Sequence, residues 1–282
     1  MSLGKFLIFG LLLMSECFSS METKVNSRFP EHYSFDKMKK INLPKKLSEI
    51  SGLEWTDKNQ LWAIQDESSS IYSLDPLSGE IIDDKKFAKN TDIEDLMVMD
   101  GAAWVLESNG KLYEVKNPLE ENQETVEHPF PKKKKRDFEA MVHWKGSEFI
   151  WVFCKDCSWD DGTKESSLYP FSLKDKEFNE EEPEKIKRKE FQKLPDLNED
   201  KKYLIQPSGA AKHPFKDEIY VISSSGEWLA IFDLEFNLID AFELDKRLFK
   251  QPEGITFDPQ GNLYISNEAR GGVANILVFY YQ

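Results

Sequence analysis

Carboxylates and amides recur in this sequence inside one short pattern. Five segments begin Glu49-Ile50-Ser51-Gly52-Leu53, Asp92-Ile93-Glu94-Asp95-Leu96, Asp137-Phe138-Glu139-Ala140-Met141, Gln206-Pro207-Ser208-Gly209-Ala210 and Gln251-Pro252-Glu253-Gly254-Ile255. Each opens on an acid or amide, continues with an apolar residue or proline, and then places Ser or Glu, a mostly small residue and an apolar one. If the five copies face one point, their first positions (Glu49, Asp92, Asp137, Gln206, Gln251) and third positions (Ser51, Glu94, Glu139, Ser208, Glu253) become neighbours. Alternation along a strand puts both positions on one side. Carboxylates packed so closely repel unless a cation joins them or some hold protons. Hard oxygen donors in number are what Ca2+ takes, about six to eight at a time and in loose geometry. Glu49, Glu94, Glu139 and Glu253 are therefore candidate Ca2+ ligands. The competing reading is a water-filled polar channel whose carboxylates bond to loop amides.

A second set follows the second strand of each unit: Asp66, Glu107, Lys155, Ser224 and Glu268, with Arg270 just beyond. These residues would rim the same mouth or the opposite one. Glu268 joins the candidate metal ligands; Asp66, Glu107, Lys155, Ser208 and Arg270 are candidate ligand-binding residues. Lys155 and Arg270 suit a phosphate or carboxylate, and equally suit charge balance for nearby acids. Cys154 and Cys157 flank Lys155-Asp156. In an extended strand they would stand about 10 Å apart on opposite faces, beyond disulfide reach, whereas a turn would allow a bridge in an oxidising compartment. A structural bridge, two packed thiols, and a redox or metal pair all stay open at this level. No Gly-x-Ser-x-Gly elbow occurs, and His32, His128, His143 and His213 show no metal-binding spacing.

The elements that would position these groups follow from the repeat. The motif starts are 43, 45, 69 and 45 residues apart; apart from one interval that contains an insertion, this is the length of a four-stranded propeller blade. Within the fifth unit, Gly254-Ile255-Thr256-Phe257 reads as a strand, Asp258-Pro259-Gln260-Gly261-Asn262 as a turn, and Leu263-Tyr264-Ile265-Ser266 as the next strand. The first unit repeats the order, and helical periodicity is sustained nowhere in the core. The expected fold is all-β, a single β-propeller of four-stranded blades over residues 36–282, with five blades favoured and six the alternative. Residues 33–47, with Met38-Lys39-Lys40-Ile41-Asn42-Leu43, would form an outer strand that pairs with the last unit and closes the ring, since an open ring exposes sheet edges.

Around this core, residues 1–20 read as a signal peptide, with Lys5 ahead of the short apolar stretch Phe6 to Met14. Cys17 is a lipidation candidate with Glu16 standing where a small residue is expected, so lipid anchoring and ordinary cleavage both remain. Residues 21–35 read as a linker. Residues 179–203 form a charged insertion in which Pro183 would start a helix, either a solvated decoration or a lid. The run Lys132-Lys133-Lys134-Lys135-Arg136 reads as a loop able to touch an anionic surface. A net charge of −14 argues against nucleic acid as a general partner. The expected protein is exported to the cell envelope, membrane-associated or periplasmic, and monomeric, with a small ligand or an envelope protein as partner.

Taken in order and register, these motifs resemble the SdiA-regulated, YjiK-like family of envelope β-propellers, sometimes described as calcium-regulated. The resemblance is carried by Leu47-Ser48-Glu49-Ile50-Ser51-Gly52-Leu53, by Ile71-Tyr72-Ser73-Leu74-Asp75 with Gly79, and by Asp137-Phe138-Glu139-Ala140. Gln206-Pro207-Ser208-Gly209 and Gln251-Pro252-Glu253-Gly254-Ile255 through Asn267-Glu268 complete it. It covers most of residues 40–282, and Asp95 and Ala140 depart from the usual glycine. What it implies is a five-bladed ring, an envelope location, a link to calcium, and phytase-like phosphate hydrolysis as the alternative to a binding or scaffold role.

Overall fold

Short β-branched and aromatic runs separated by Asp, Asn and Gly turns leave each strand one cheap partner, the run next to it in sequence. The turn Asp258–Asn262 shows how. The Asp258 carboxylate accepts the backbone N–H groups of Gln260 and Asn262 and the Asn262 side-chain amide, at 2.7–2.9 Å, and Gly261 takes the positive φ of 84° that the reversal needs. The resulting sheets are all antiparallel. The computed structural model describes residues 28–181, 183–194 and 203–282. The segment read as a signal peptide, Cys17 with it, lies outside the described residues, as do residues 182 and 195–202 of the insertion.

The strands are β1 (Lys39–Asn42), β2 (Ile50–Trp55), β3 (Leu61–Gln65), β4 (Ser68–Leu74), β5 (Ile81–Lys86), β6 (Ile93–Met99), β7 (Ala102–Glu107), β8 (Leu112–Lys116) and β9 (Glu124–His128). They continue with β10 (Phe138–Val142), β11 (Phe149–Cys154), β12 (Glu165–Ser172), β13 (Glu177–Phe178), β14 (Glu184–Lys187), β15 (Gly209–Lys212) and β16 (Ile219–Ser223). The last are β17 (Trp228–Phe232), β18 (Leu238–Glu243), β19 (Pro252–Phe257), β20 (Leu263–Asn267) and β21 (Asn275–Phe279). They form five sheets, β2 to β5, β6 to β9, β10 to β14, β15 to β18, and β19 to β21 with β1. This is a five-bladed β-propeller; the six-bladed alternative falls away.

Each blade's core strands are buried on both faces while the fourth is half exposed, as in Ile81–Lys86. The apolar side chains therefore collect between blades rather than inside one sheet. Five clusters result, one per interface; Leu53, Tyr72, Tyr264 and Ile276, for example, seal the last blade to the first. The ring closes as the sequence predicts: β1 pairs with β21 in register Ile41 to Ile276 and supplies the last blade's outer strand, so the start of the chain ties the last blade shut.

Two stretches are more integrated than their composition suggests. Within the segment read as a linker, Arg28 pairs with Asp240 and lies over the Phe242 ring. Phe29 packs on Phe35 and Phe279, and the Tyr33 hydroxyl donates to the Gly261 carbonyl at 2.8 Å. In the charged insertion the residues after Pro183 form a strand, not the predicted helix start. β13 and β14 pair with opposite ends of β12 and together serve as the third blade's outer strand. The following turn, α1 (Arg188–Phe191), buries Phe191 against Trp228 at 5.1 Å. An edge strand tolerates charged outward residues, which is why charge alone misled the reading.

Candidate functional site

The five innermost strands, β2, β6, β10, β15 and β19, start at one end of the molecule, so the motif copies meet at one mouth. Their register there is not the simple alternation the sequence suggests. Ile50 pairs with Gln65 and Gly52 with Ile64, leaving Ser51 unpaired. The same slip leaves out Glu94 between Ile93 and Asp95, Glu139 between Phe138 and Ala140, and a residue at Glu253-Gly254 between Pro252 and Ile255. A β-bulge of this kind re-aims one side chain. Its use at the third motif position turns the acids toward the axis.

Two groups of three carboxylates result. Ligand oxygens of Glu94, Asp137 and Glu139 lie within 4.8 Å of one another, and so do those of Glu49, Asp66 and Glu268. The first group joins the second and third blades; the second joins the first and fifth. The two fields overlap, because Glu139 raises the pKa of both Glu253 and Glu268. Burial, followed by the negative field of Glu139, Asp92 and Asp137, lifts Glu94 to about 10. Burial likewise lifts Glu139 to about 7, Glu253 to about 8, Glu268 to about 7 and Asp66 to about 6. Carboxyls in this state hold protons or take up a cation.

One cation is already built in. Lys155 places its ammonium on Glu139 Oε1 and lies in the field of Glu253 and Asp137, which keeps it charged despite burial. It does not satisfy the mouth. Glu139 Oε2, Asp66 Oδ1, Gln251 Oε1 and Asn267 Oδ1 are buried acceptors with no hydrogen-bond partner among the described residues, and Glu139 is only 7% exposed. Unpartnered buried oxygens cost about 1–3 kcal/mol each, and all four are of the type a hard cation accepts.

The remaining predicted residues divide by what occupies them. Asp66 and Glu268 belong to the acid groups, and Arg270 lowers the Glu268 pKa from a neighbouring, exposed position. Glu107 is committed within its own blade to Asn109, to the Tyr113 hydroxyl and to Lys111. Ser208 is committed as well: its hydroxyl donates to the Pro252 carbonyl at 2.8 Å and accepts the Ser224 N–H at 3.1 Å. Ser51 likewise links the first and second blades, donating to the Ile93 carbonyl at 2.7 Å. These serines staple neighbouring blades. Cys154 and Cys157 form a disulfide across a turn, Cα atoms 6.0 Å apart. His213 is buried and lowered to about 4 by desolvation, its Nδ1 accepting the Phe215 and Lys216 N–H groups.

Sequence reasoning passed over one residue that matters here. Asp95 stands where three other copies have glycine, and its buried carboxylate accepts the N–H of Leu96 at 2.8 Å and of Met141 at 2.7 Å. Where glycine lets two inner strands touch, Asp95 bridges them by hydrogen bonds. Its departure from the motif was the available signal.

Residues 164–270 match the family model described as SdiA-regulated. Among curated proteins none matches the sequence. Solved structures of similar shape include the Myxococcus xanthus glutaminyl cyclase (9% identity, TM-score 0.59, covering 86% of this chain and 93% of that one). A luciferin-regenerating enzyme (9%, 0.53, 86% and 94%) and the PQQ-bound aldose sugar dehydrogenase of Streptomyces coelicolor (12%, 0.51, 87% and 99%) are also similar. At such identities the likeness is one of fold alone.

Proposed function

We propose that this propeller, with its SdiA-regulated match over residues 164–270, is an exported cell-envelope binding protein whose acidic mouth takes a divalent cation, Ca2+ in particular. The observation that carries the reading is the pairing of three-carboxylate groups drawn from different blades with buried oxygens that lack a donor among the described residues. Loosely arranged carboxylates and carbonyl-type oxygens favour Ca2+, while Mg2+ wants tighter octahedral geometry and keeps its waters. Glu94, Asp137 and Glu139 would hold one ion; Glu49, Asp66 and Glu268 would hold another, with Glu253 between them. The bound ion would then present open coordination positions to an anionic or polyhydroxyl ligand. The envelope assignment rests on the apolar N-terminal stretch, and lipidation at Cys17 would add an anchor.

Calorimetric titration of the whole chain tests it. Ca2+ should bind, raise the melting temperature and outcompete Mg2+, and Glu94→Gln with Glu139→Gln should remove both heat and stabilisation. Absence of any Ca2+ heat in the unaltered chain would end the metal reading. A second reading, cation-dependent phosphate-ester hydrolysis, is favoured by Lys155 and Arg270 at the same mouth. A bound metal polarises a phosphoryl oxygen and activates water, so release of phosphate from a generic aryl phosphate only in the presence of Ca2+ would select it.

A further inference from the structure

The opposite end of the channel holds a different environment. Where the innermost strands end, Glu54, Trp55, Met97, Met99, Met141, Trp144 and Phe257 help line a cavity of about 780 Å³, within the range of small-molecule sites. Three aromatic rings (Trp55, Trp144, Phe257) and three thioethers (Met97, Met99, Met141) line it together with polar and charged groups. At its floor Glu54 spans three blades: Oε1 accepts the Val98 N–H at 3.3 Å and Oε2 accepts the Thr256 hydroxyl at 3.1 Å. Thr256 is in turn fixed by the Trp55 N–H at 3.1 Å.

Glu54 has no ion-pair partner among the described residues, and burial lifts its carboxyl to about 7. Among the described residues, Asp95, another acid, shares its field from the neighbouring strand. Lys212 lines the cavity but spends its ammonium on the His213 and Lys216 carbonyls and on Asp217. His143 donates its Nδ1–H to the Phe149 carbonyl at 3.0 Å. Lys145, Asp57 and Asp100 are exposed at the rim. An anion would meet an uncompensated acid here. A metal ion would find one carboxylate with both oxygens already engaged. A cation carried on an apolar body suits both features, since aromatic faces and a desolvated carboxylate each attract an ammonium.

We propose that this cavity is a second binding site, taking a ligand with an ammonium group on an apolar body, with Glu54 as its anionic partner and Trp55, Met99, Trp144 and Phe257 as its walls. The site is independent of the acidic mouth.

The test titrates the whole chain at pH 8 with phenethylammonium and with 2-phenylethanol, its neutral near-isostere, following tryptophan fluorescence and heat. The ammonium should bind at least about tenfold more tightly than the alcohol, equally well in EDTA and in saturating Ca2+. Glu54→Gln should weaken the ammonium about tenfold and leave the alcohol unchanged. Asp100→Lys, which reverses a charge at the exposed rim and leaves the walls in place, should also weaken the ammonium and not the alcohol. The proposal is overturned if neither probe binds, if the alcohol binds as well as the ammonium, or if Glu54→Gln leaves the ammonium affinity unchanged. Displacement of the ammonium by Ca2+ would also overturn it, because the probe would then sit in the acidic mouth; the Ca2+ titration without probe judges the metal reading separately.

Discussion

Lys155 is the residue on which the chemistry of the mouth turns. It is a tethered cation, held among acids whose pKa values remain high in its presence. It therefore competes with any divalent ion for Glu139 while neutralising only part of the charge. Replacing it by methionine keeps the length and apolar stem but strands Glu139. Breaking a largely buried pair costs about 3 kcal/mol, so Lys155→Met should melt several degrees lower in EDTA. The same change should tighten Ca2+ binding by about tenfold or more, because each tenfold corresponds to ~1.4 kcal/mol and a competing charge has gone. Scanning calorimetry with and without Ca2+ reads both effects; a variant that loses stability and gains no affinity would show Lys155 to be a packing residue. From sequence, Lys155 was visible as a cation following the second strand of its unit. That it points at Glu139 was not, because a four-carbon stem leaves its ammonium a wide choice of partners.

The elements that hold these residues were legible to different depths, for physical reasons. Strand order, blade count and closure by β1 all follow from local signals: alternating runs, turn residues and a repeat near the length of one blade. The bulge at the third motif position was not legible, since an extra residue in a ladder leaves no mark in composition, yet it is what aims Glu94 and Glu139. The residue after it was legible only as mostly small and proves to be a contact residue. A Cβ on Gly209 would overlap the Glu253 carbonyl oxygen, and one on Gly254 would lie 2.9 Å from the Leu53 nitrogen. Gly209→Ala must therefore push the fourth and fifth blades apart, at about 1–3 kcal/mol or more, while Ala140→Gly should cost about 1 kcal/mol or less. Chemical denaturation distinguishes them, and equal costs would deny that inner strands touch at this level. The disulfide turn is the other positioning element. Lys155 and Asp156 donate their N–H groups to the Asp137 carbonyl at 2.8 and 3.2 Å, so one short loop sets both the built-in cation and one carboxylate. A bridge closing so few residues contributes only roughly 2 kcal/mol through chain entropy. Cys154→Ser with Cys157→Ser should accordingly disturb Ca2+ affinity more, relative to wild type, than it lowers the melting temperature.

At the scale of the whole molecule, the ring trades stability for a concentrated negative field. The sign follows from the raised pKa values. Between about pH 4.5, where free glutamate ionises, and the folded values of about 7 for Glu139 and Glu268 and about 8 for Glu253, the folded chain holds protons that the unfolded chain has released. Its stability must then fall as pH rises through that window. Surface acids act in the opposite sense at lower pH. Asp75, Asp161 and Asp245 are held below their usual range by hydrogen bonds from Ser78, Lys164 and Arg247, so their contribution is lost as pH falls below about 4. In EDTA the melting temperature should therefore peak near pH 5 and decline toward pH 8. Ca2+ inverts the upper limb, because ionised carboxylates bind the metal and protonated ones do not. At a hundredfold excess over its dissociation constant a ligand adds ~2.7 kcal/mol, several degrees for a ring of this size, and that gain should be large at pH 8 and nearly absent at pH 5. Melts across this range, with and without Ca2+, separate a cation site from a merely solvated channel. A solvated channel would give the decline without the rescue, and a profile flat from pH 5 to 8 in EDTA would mean the acids do not share a desolvated mouth at all.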